Sequence, residues 1–98
     1  MKLIIATVRP FKLDEIVTAF EEIDGFPGMT VLNSEGFGKG LGNESDIVNP
    51  FRQNKRVEIA SNDDMVESIV AAIRTHAHTG KRGDGIIAVI PIEAAFSI

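Results

Sequence analysis

An α+β fold is predicted for this 98-residue chain, with a four-stranded antiparallel sheet that carries two helices on one face. Three observations predict it. Four short stretches have the apolar or alternating pattern of strands, and two have the 3.6-residue spacing of amphipathic helices. Their order along the chain is β-α-β-β-α-β. The second and third strands are joined by a glycine-rich tip rather than by a helix. That order is the split βαβ, or ferredoxin-like, plan. Each half reads strand–helix–strand, with no sequence repeat between the halves.

The elements follow in turn. Lys2–Val8, KLIIATV, is apolar and rich in β-branched residues, and Arg9-Pro10 stops it. Leu13, Ile16, Val17, Phe20 and Ile23 then fall on one helical stripe, with Asp14 and Glu15 in the first turn where the helix dipole favours acids. Gly25 and Pro27-Gly28 end that helix, and Met29–Ser34 alternates as a strand. Gly36–Asn49 is irregular, with four glycines in its first seven residues. Lys55–Ser61 alternates again, so the two strands form a hairpin with a long tip. Ser61 or Asn62 is placed to cap a second helix, whose stripe is Met65, Val66, Ile69, Val70, Ile73 and Ala77. Gly80 is placed to end it, and Ile86–Ile92 is a continuous apolar strand. Phe11, Phe20, Phe26 and Phe96 are read as core or edge packing.

Both helices cover one sheet face, and Ile86–Ile92 has almost no polar position. Its other face therefore calls for a partner, and a sheet-to-sheet oligomer supplies one.

Composition narrows the function. The length suits one domain over residues 1–98, large enough to bury a modest core. Without Cys there is no disulfide and no thiolate metal site. Apolar runs are too short for a membrane span, and Met1–Val8 has no signal-peptide shape, so a cytoplasmic protein is expected. A net charge of −4 argues against a general nucleic-acid binder, and the strands lack the stacking aromatics of an RNA-binding sheet. No Ser/His/Asp grouping and no acid pair suggests an enzyme.

One stretch invites chemistry: Thr79–Glu93, TGKRGDGIIAVIPIE, with Gly80, Gly83 and Gly85 around Lys81, Arg82 and Asp84. Glycines let a backbone approach a ligand closely and present N–H groups to an anion. The plainer reading is that Gly80 caps a helix and that Lys81 and Arg82 are solvated charges. With Arg9–Ile16, RPFKLDEI, and Gly28–Gly40, GMTVLNSEGFGKG, this stretch resembles the PII family of nitrogen-regulatory signal proteins. The three matches stand in order and span almost the whole chain.

The resemblance implies a homotrimer of ferredoxin-like subunits with adenine nucleotide bound in clefts between subunits. It also implies a loop, here residues 36–54, that docks on a regulated enzyme, transporter or efflux protein. The residues it assigns to the cleft are Thr30, Gly36, Phe37, Gly38, Lys39, Glu58, Lys81, Arg82, Gly83, Asp84 and Gly85.

Departures from the family pattern shape the expected ligand. A Gln that helps hold Mg²⁺ and 2-oxoglutarate is replaced by Gly40, and an Arg by Lys39. A phosphate-binding Lys after the GDG turn is replaced by Ile86. Another, ahead of the third strand, falls at Asn54, with Lys55 adjacent. The C-terminal arginine pair is absent. AMP or ADP is therefore expected over Mg-ATP, with 2-oxoglutarate adding little. The chain has no Tyr for nucleotidylation, and Ser45 sits among acidic neighbours that disfavour phosphorylation.

A second reading treats His76 and His78 as ligands of a trimeric, metal-responsive or metal-tolerance protein tied to metal efflux. Residues two apart do not share a helix face, however, and histidines also suit a helix C-terminus.

Overall fold

The computed structural model describes residues 1–38 and 50–98. Strand β1 is Lys2–Val8, helix α1 Leu13–Glu21, β2 Thr30–Gly36, β3 Arg52–Ser61, α2 Val66–Ala77 and β4 Gly85–Pro91. A single 3₁₀ turn leads into each helix, at Pro10–Lys12 and Asp63–Met65. The sheet order is β2-β3-β1-β4, and every pairing is antiparallel. This is the ferredoxin-like arrangement. No helix among the described residues is long and apolar enough to cross a membrane.

The alternation of side chains builds the core. Ile4, Ala6 and Val8 of β1 and Val57 and Ile59 of β3 face the helices. They meet Ile16 and Phe20 of α1 and Ile69, Ile73 and Ala77 of α2, all buried. Phe20 also stacks on Phe26, with ring centroids 4.5 Å apart, so the turn after α1 is fastened to the core.

The opposite sheet face is uncovered, and its β1 and β4 side is apolar. Leu3 and Ile5 of β1 pair in register with Ile90 and Ala88 of β4, with Ala60 and Leu32 further along the face. Ile86, on the same face, is 69% exposed.

Several boundaries differ from the sequence reading. Helix α1 stops at Glu21 rather than reaching Ile23, because the N–H groups of Ile23 and Phe26 bond to Phe20 and Ile23 carbonyls in successive turns. Strand β3 begins at Arg52, three residues earlier than its alternation suggests, because β2 continues to Gly36 and pairs with it there. Strand β4 ends at Pro91, which an edge strand tolerates. Neither Ser61 nor Asn62 caps through its side chain; the Ser61 hydroxyl instead donates to the Asn62 carbonyl. Gly80 is not the cap of α2 either. The helix ends at Ala77 with His78 extended, and Gly80 takes φ +83° in the loop beyond. Phe11 and Phe96 are exposed, at 72% and 89%, rather than packed.

Candidate functional site

The loop between α2 and β4 is held by one carboxylate. Asp84 accepts hydrogen bonds from the Thr79 backbone N–H at 2.7 Å, the Thr79 hydroxyl, and the Gly80 N–H at 3.2 Å. Arg9, at the end of β1, closes the ring. Its Nε donates to Asp84 Oδ1 at 2.9 Å and a terminal nitrogen to the Arg82 carbonyl at 2.7 Å. The Thr79 hydroxyl and N–H, then the Arg9 guanidinium and Gly80 N–H, hold the Asp84 carboxyl well below the usual carboxylate range, against the opposing effect of burial. Asp84 thus spends its oxygens on its own loop and shapes it.

A depressed folded pKa stabilises the fold above the group's ordinary value, 3.8 here, and that contribution fades as pH falls through the depressed value. Exchange protection of the Thr79 and Gly80 amides is therefore expected to be full at neutral pH, to begin to decline below pH 3.8 and to be lost only as pH falls through the depressed value. Asp84→Asn should lose it at every pH. Hydrogen exchange read residue by residue checks this.

Gly85 completes the loop. Its φ is +132°, and a Cβ there would lie 1.8 Å from the Thr7 carbonyl oxygen of β1. The loop and β1 are in backbone contact, which only glycine permits.

This fixed loop forms one wall of a cavity of about 610 Å³ through Gly83 and Gly85, and the Gly36-Phe37 turn forms another. The size falls within the roughly 300–1,000 Å³ typical of small-molecule sites. Phe37 is 71% exposed and tilts against Phe51 with ring centroids 5.6 Å apart, so the two rings meet where β2 leaves the hairpin and β3 returns. Arg9, Arg52 and Arg56 also line the cavity, with Glu35 its sole carboxylate among the described lining residues. Arg9 and Arg56 are ion-paired through Nε to Asp84 and Glu58, and the N–H donors a guanidinium keeps besides Nε suit an anion.

Of the residues assigned from sequence, Gly36, Phe37, Gly83 and Gly85 come together in this cavity. Thr30 and Glu58 pair in register on the uncovered sheet face, and Glu58 holds Arg56 Nε at 3.0 Å. Lys81 lines a separate shallow depression with Arg9, Lys12 and His78. Arg82 meets Arg9 through its carbonyl, and Asp84 turns inward. Gly38 follows the turn. Lys39, Gly40 and Ser45 lie outside the described residues.

Sequence reasoning missed Arg9, Arg52, Arg56 and Ser34 as lining groups. The signal was available for two of them: Arg52 and Arg56 share a strand face with Asn54 once β3 is extended to Arg52. Lys55, adjacent to Asn54, does not substitute for it. One residue along a strand reverses the face, and Lys55 Nζ is committed to Asn33 Oδ1 at 2.6 Å.

The metal-responsive reading finds no support. His76 Nδ1 lies 3.0 Å from Glu15 Oε2 on α1, whereas His78 Nδ1 lies 3.7 Å from Asp84 Oδ2. The two rings serve different elements and do not converge. Among the described residues, no group of three or more His, Cys, Asp or Glu is placed to hold a metal ion. The His76 contact, reinforced by Lys12, holds the Glu15 carboxyl below its ordinary range.

Comparison with known proteins agrees with the fold. The family profile for nitrogen regulatory protein P-II matches residues 1–98. The nitrogen regulatory protein P-II of Azospirillum brasilense is 39% identical over 103 residues, spanning all of this chain and 91% of that protein. The protein of the same name from Bradyrhizobium diazoefficiens is 41% identical with the same coverage. A nitrogen fixation nifHD region GlnB-like protein 1 of Methanothermococcus thermolithotrophicus is 41% identical over 99 residues, spanning all of this chain and 93% of its own length. With a full-length profile match and full-length relatives near 40% identity, the chain belongs to the nitrogen regulatory protein P-II family of regulatory signal proteins.

Proposed function

We propose that this chain is a homotrimeric regulator that binds an adenine nucleotide, AMP or ADP, in clefts between copies. It passes the bound state to a regulated enzyme or transporter through residues 36–54. One observation carries the reading: the Gly36-Phe37 turn and the Gly83 and Gly85 backbone line a single guanidinium-rich cavity at the base of that segment. A ligand there touches both the rigid loop fastened by Asp84 and the turn from which the docking segment departs. Its occupancy and the segment's conformation are thereby coupled, because a ligand shifts any equilibrium between states it binds unequally.

The residues present fit a nucleotide with few phosphates. Two glycine backbones can approach it closely, and the lining has more cations than carboxylates. Gly83, Gly36, Phe37, Gly38 and Lys39 are proposed as contacts, with Lys81 and Arg82 adding charge at the rim and Thr30 and Glu58 supplied on the sheet face. Asp84 and Gly85 act by positioning the loop. The uncovered face of Leu3, Ile5, Ala88 and Ile90 is proposed as the surface where copies meet, which brings a neighbour against the open side of the cavity.

Mg-ATP and 2-oxoglutarate fit less well, since Gly40 has no side chain to complete a metal site and Ile86 has no charge for an outer phosphate. Calorimetry should give AMP and ADP binding that Mg-ATP improves on by less than about tenfold, with no gain from 2-oxoglutarate. Submicromolar Mg-ATP affinity that depends on 2-oxoglutarate would contradict the ligand assignment. Absence of binding by every adenine nucleotide would remove the cleft itself.

A further inference from the structure

The cavity's charge comes from one strand. Arg52, Asn54 and Arg56 occupy successive same-face positions of β3, roughly 6.8 Å apart along the strand, and all three line the cavity. They form a comb of cation, amide and cation. Across the hairpin, Gly36 pairs with Arg52 and Ser34 with Asn54. Gly36 makes room for the comb's centre, since a Cβ there would lie 2.7 Å from Asn54 Nδ2. The Ser34 hydroxyl oxygen is hidden from solvent with no hydrogen-bond partner among the described residues, beside the amide. A hydroxyl left so is a group awaiting an acceptor or donor.

Arg9 gives Nε to Asp84 and a terminal nitrogen to the Arg82 carbonyl, so it serves as scaffold. Arg56 meets Glu58 through Nε, one of a guanidinium's five N–H donors. Lys55 points to the opposite face and cannot contribute. Glu35, the lining carboxylate, accepts from Gln53 Nε2 at 3.3 Å.

We infer that Arg52 and Arg56 are the residues that grip the phosphate of the effector, with Asn54 and Ser34 as neutral hydrogen-bonding partners between them. Planar guanidinium forks match phosphoryl oxygens in pairs, where an ammonium offers a point charge. Guanidinium side chains long enough to converge from positions about 13.6 Å apart over the amide between them suit a diphosphate. Preference for ADP over AMP then comes from the second guanidinium, and a third phosphate adds little because Ile86 offers it no cation. This inference rests on the nucleotide-cleft reading above and adds which side chains hold the charge.

The test uses the full chain with ADP, adenosine and inorganic pyrophosphate as calorimetric probes. Arg52→Gln and Arg56→Gln should each weaken ADP and pyrophosphate by about tenfold or more, leave adenosine within twofold, and flatten the salt dependence of ADP binding. Arg52→Lys should recover only part of the loss. Because Arg56→Gln also removes the Glu58 contact, Arg52→Gln, at the hairpin tip, is decisive if the Arg56 variant fails to assemble. ADP binding by Arg52→Gln within twofold of the parent, with normal salt dependence, overturns the assignment of the charge while leaving the cleft standing. If the parent chain binds none of the three probes, the cleft and this inference fall together.

Discussion

Gly85→Ala is expected to cost the fold about 3 kcal/mol or more, combining strain at a positive φ with a clash that the backbone of β1 cannot relieve by side-chain motion. The Cβ would stand 1.8 Å from the Thr7 carbonyl oxygen and 3.0 Å from its carbon. Relief requires β4 to part from β1 at the Val8–Gly85 end of their register, which also withdraws Gly83 from the cavity. Denaturant unfolding should show the loss as a lower midpoint with an unchanged slope. Ala at Gly28 is the comparison that separates the two contributions. Its φ is also positive, at +101°, but nothing lies within 4 Å of the Cβ position, so only the conformational strain of about 1 kcal/mol is expected. Equal losses at both sites would show that the contact with Thr7 contributes nothing.

Two roles that look alike in the sequence are thereby told apart. GDG reads as a backbone cradle for a ligand, and Gly83 at the cavity wall is consistent with that. Gly85 is glycine because β1 passes too close for anything larger, and Asp84 is an acid because three donors and a guanidinium converge on it. Both roles depend on Thr7 and Arg9, more than seventy residues away along the chain, and no local pattern reports such a pairing.

The second large effect is expected on the uncovered sheet face. Ile90→Lys places an ammonium among Leu3, Ile5 and Ala88, where it harms nothing in an isolated chain because Ile90 is already 41% exposed. Buried without a counter-ion between copies, it should cost about 4 kcal/mol of association, near 10³-fold. Circular dichroism should be unchanged while the sedimenting mass falls toward 10.6 kDa. An unchanged mass would mean that copies meet through some other surface.

The fold was legible because its pattern is carried by large apolar residues. Ile4, Ala6, Val8, Val57 and Ile59 alternate in sequence as they alternate in the sheet, and Ile69, Ile73 and Ala77 keep helical spacing. The bounds of β1 agree residue for residue. Polar strand ends were not legible. Arg52-Gln53-Asn54 has no strand composition and is held extended by pairing with Ser34–Gly36 across the hairpin. That omission hid that Arg52 and Asn54 share the face of Arg56. The end of α2 is hidden for a similar reason. Gly80 is the obvious stop, but the tie from Asp84 to Thr79 acts on the chain first, and His78 is already extended. Phe11 lines the cavity instead of packing in the core, because the 3₁₀ turn at Pro10–Lys12 directs it outward.

Assembly and ligand binding are joined in the proposed function: copies meet on the open sheet face and hold a nucleotide between them. Analytical ultracentrifugation of the chain with a fluorescent ADP, followed at the dye's wavelength, reads both at once. Dye is expected to sediment with a species of three times 10.6 kDa, to be displaced by unlabelled ADP, and to be lost with Ile90→Lys. Dye that stays free at protein concentrations of tens of micromolar, or that travels with a 10.6 kDa species, would contradict the proposal.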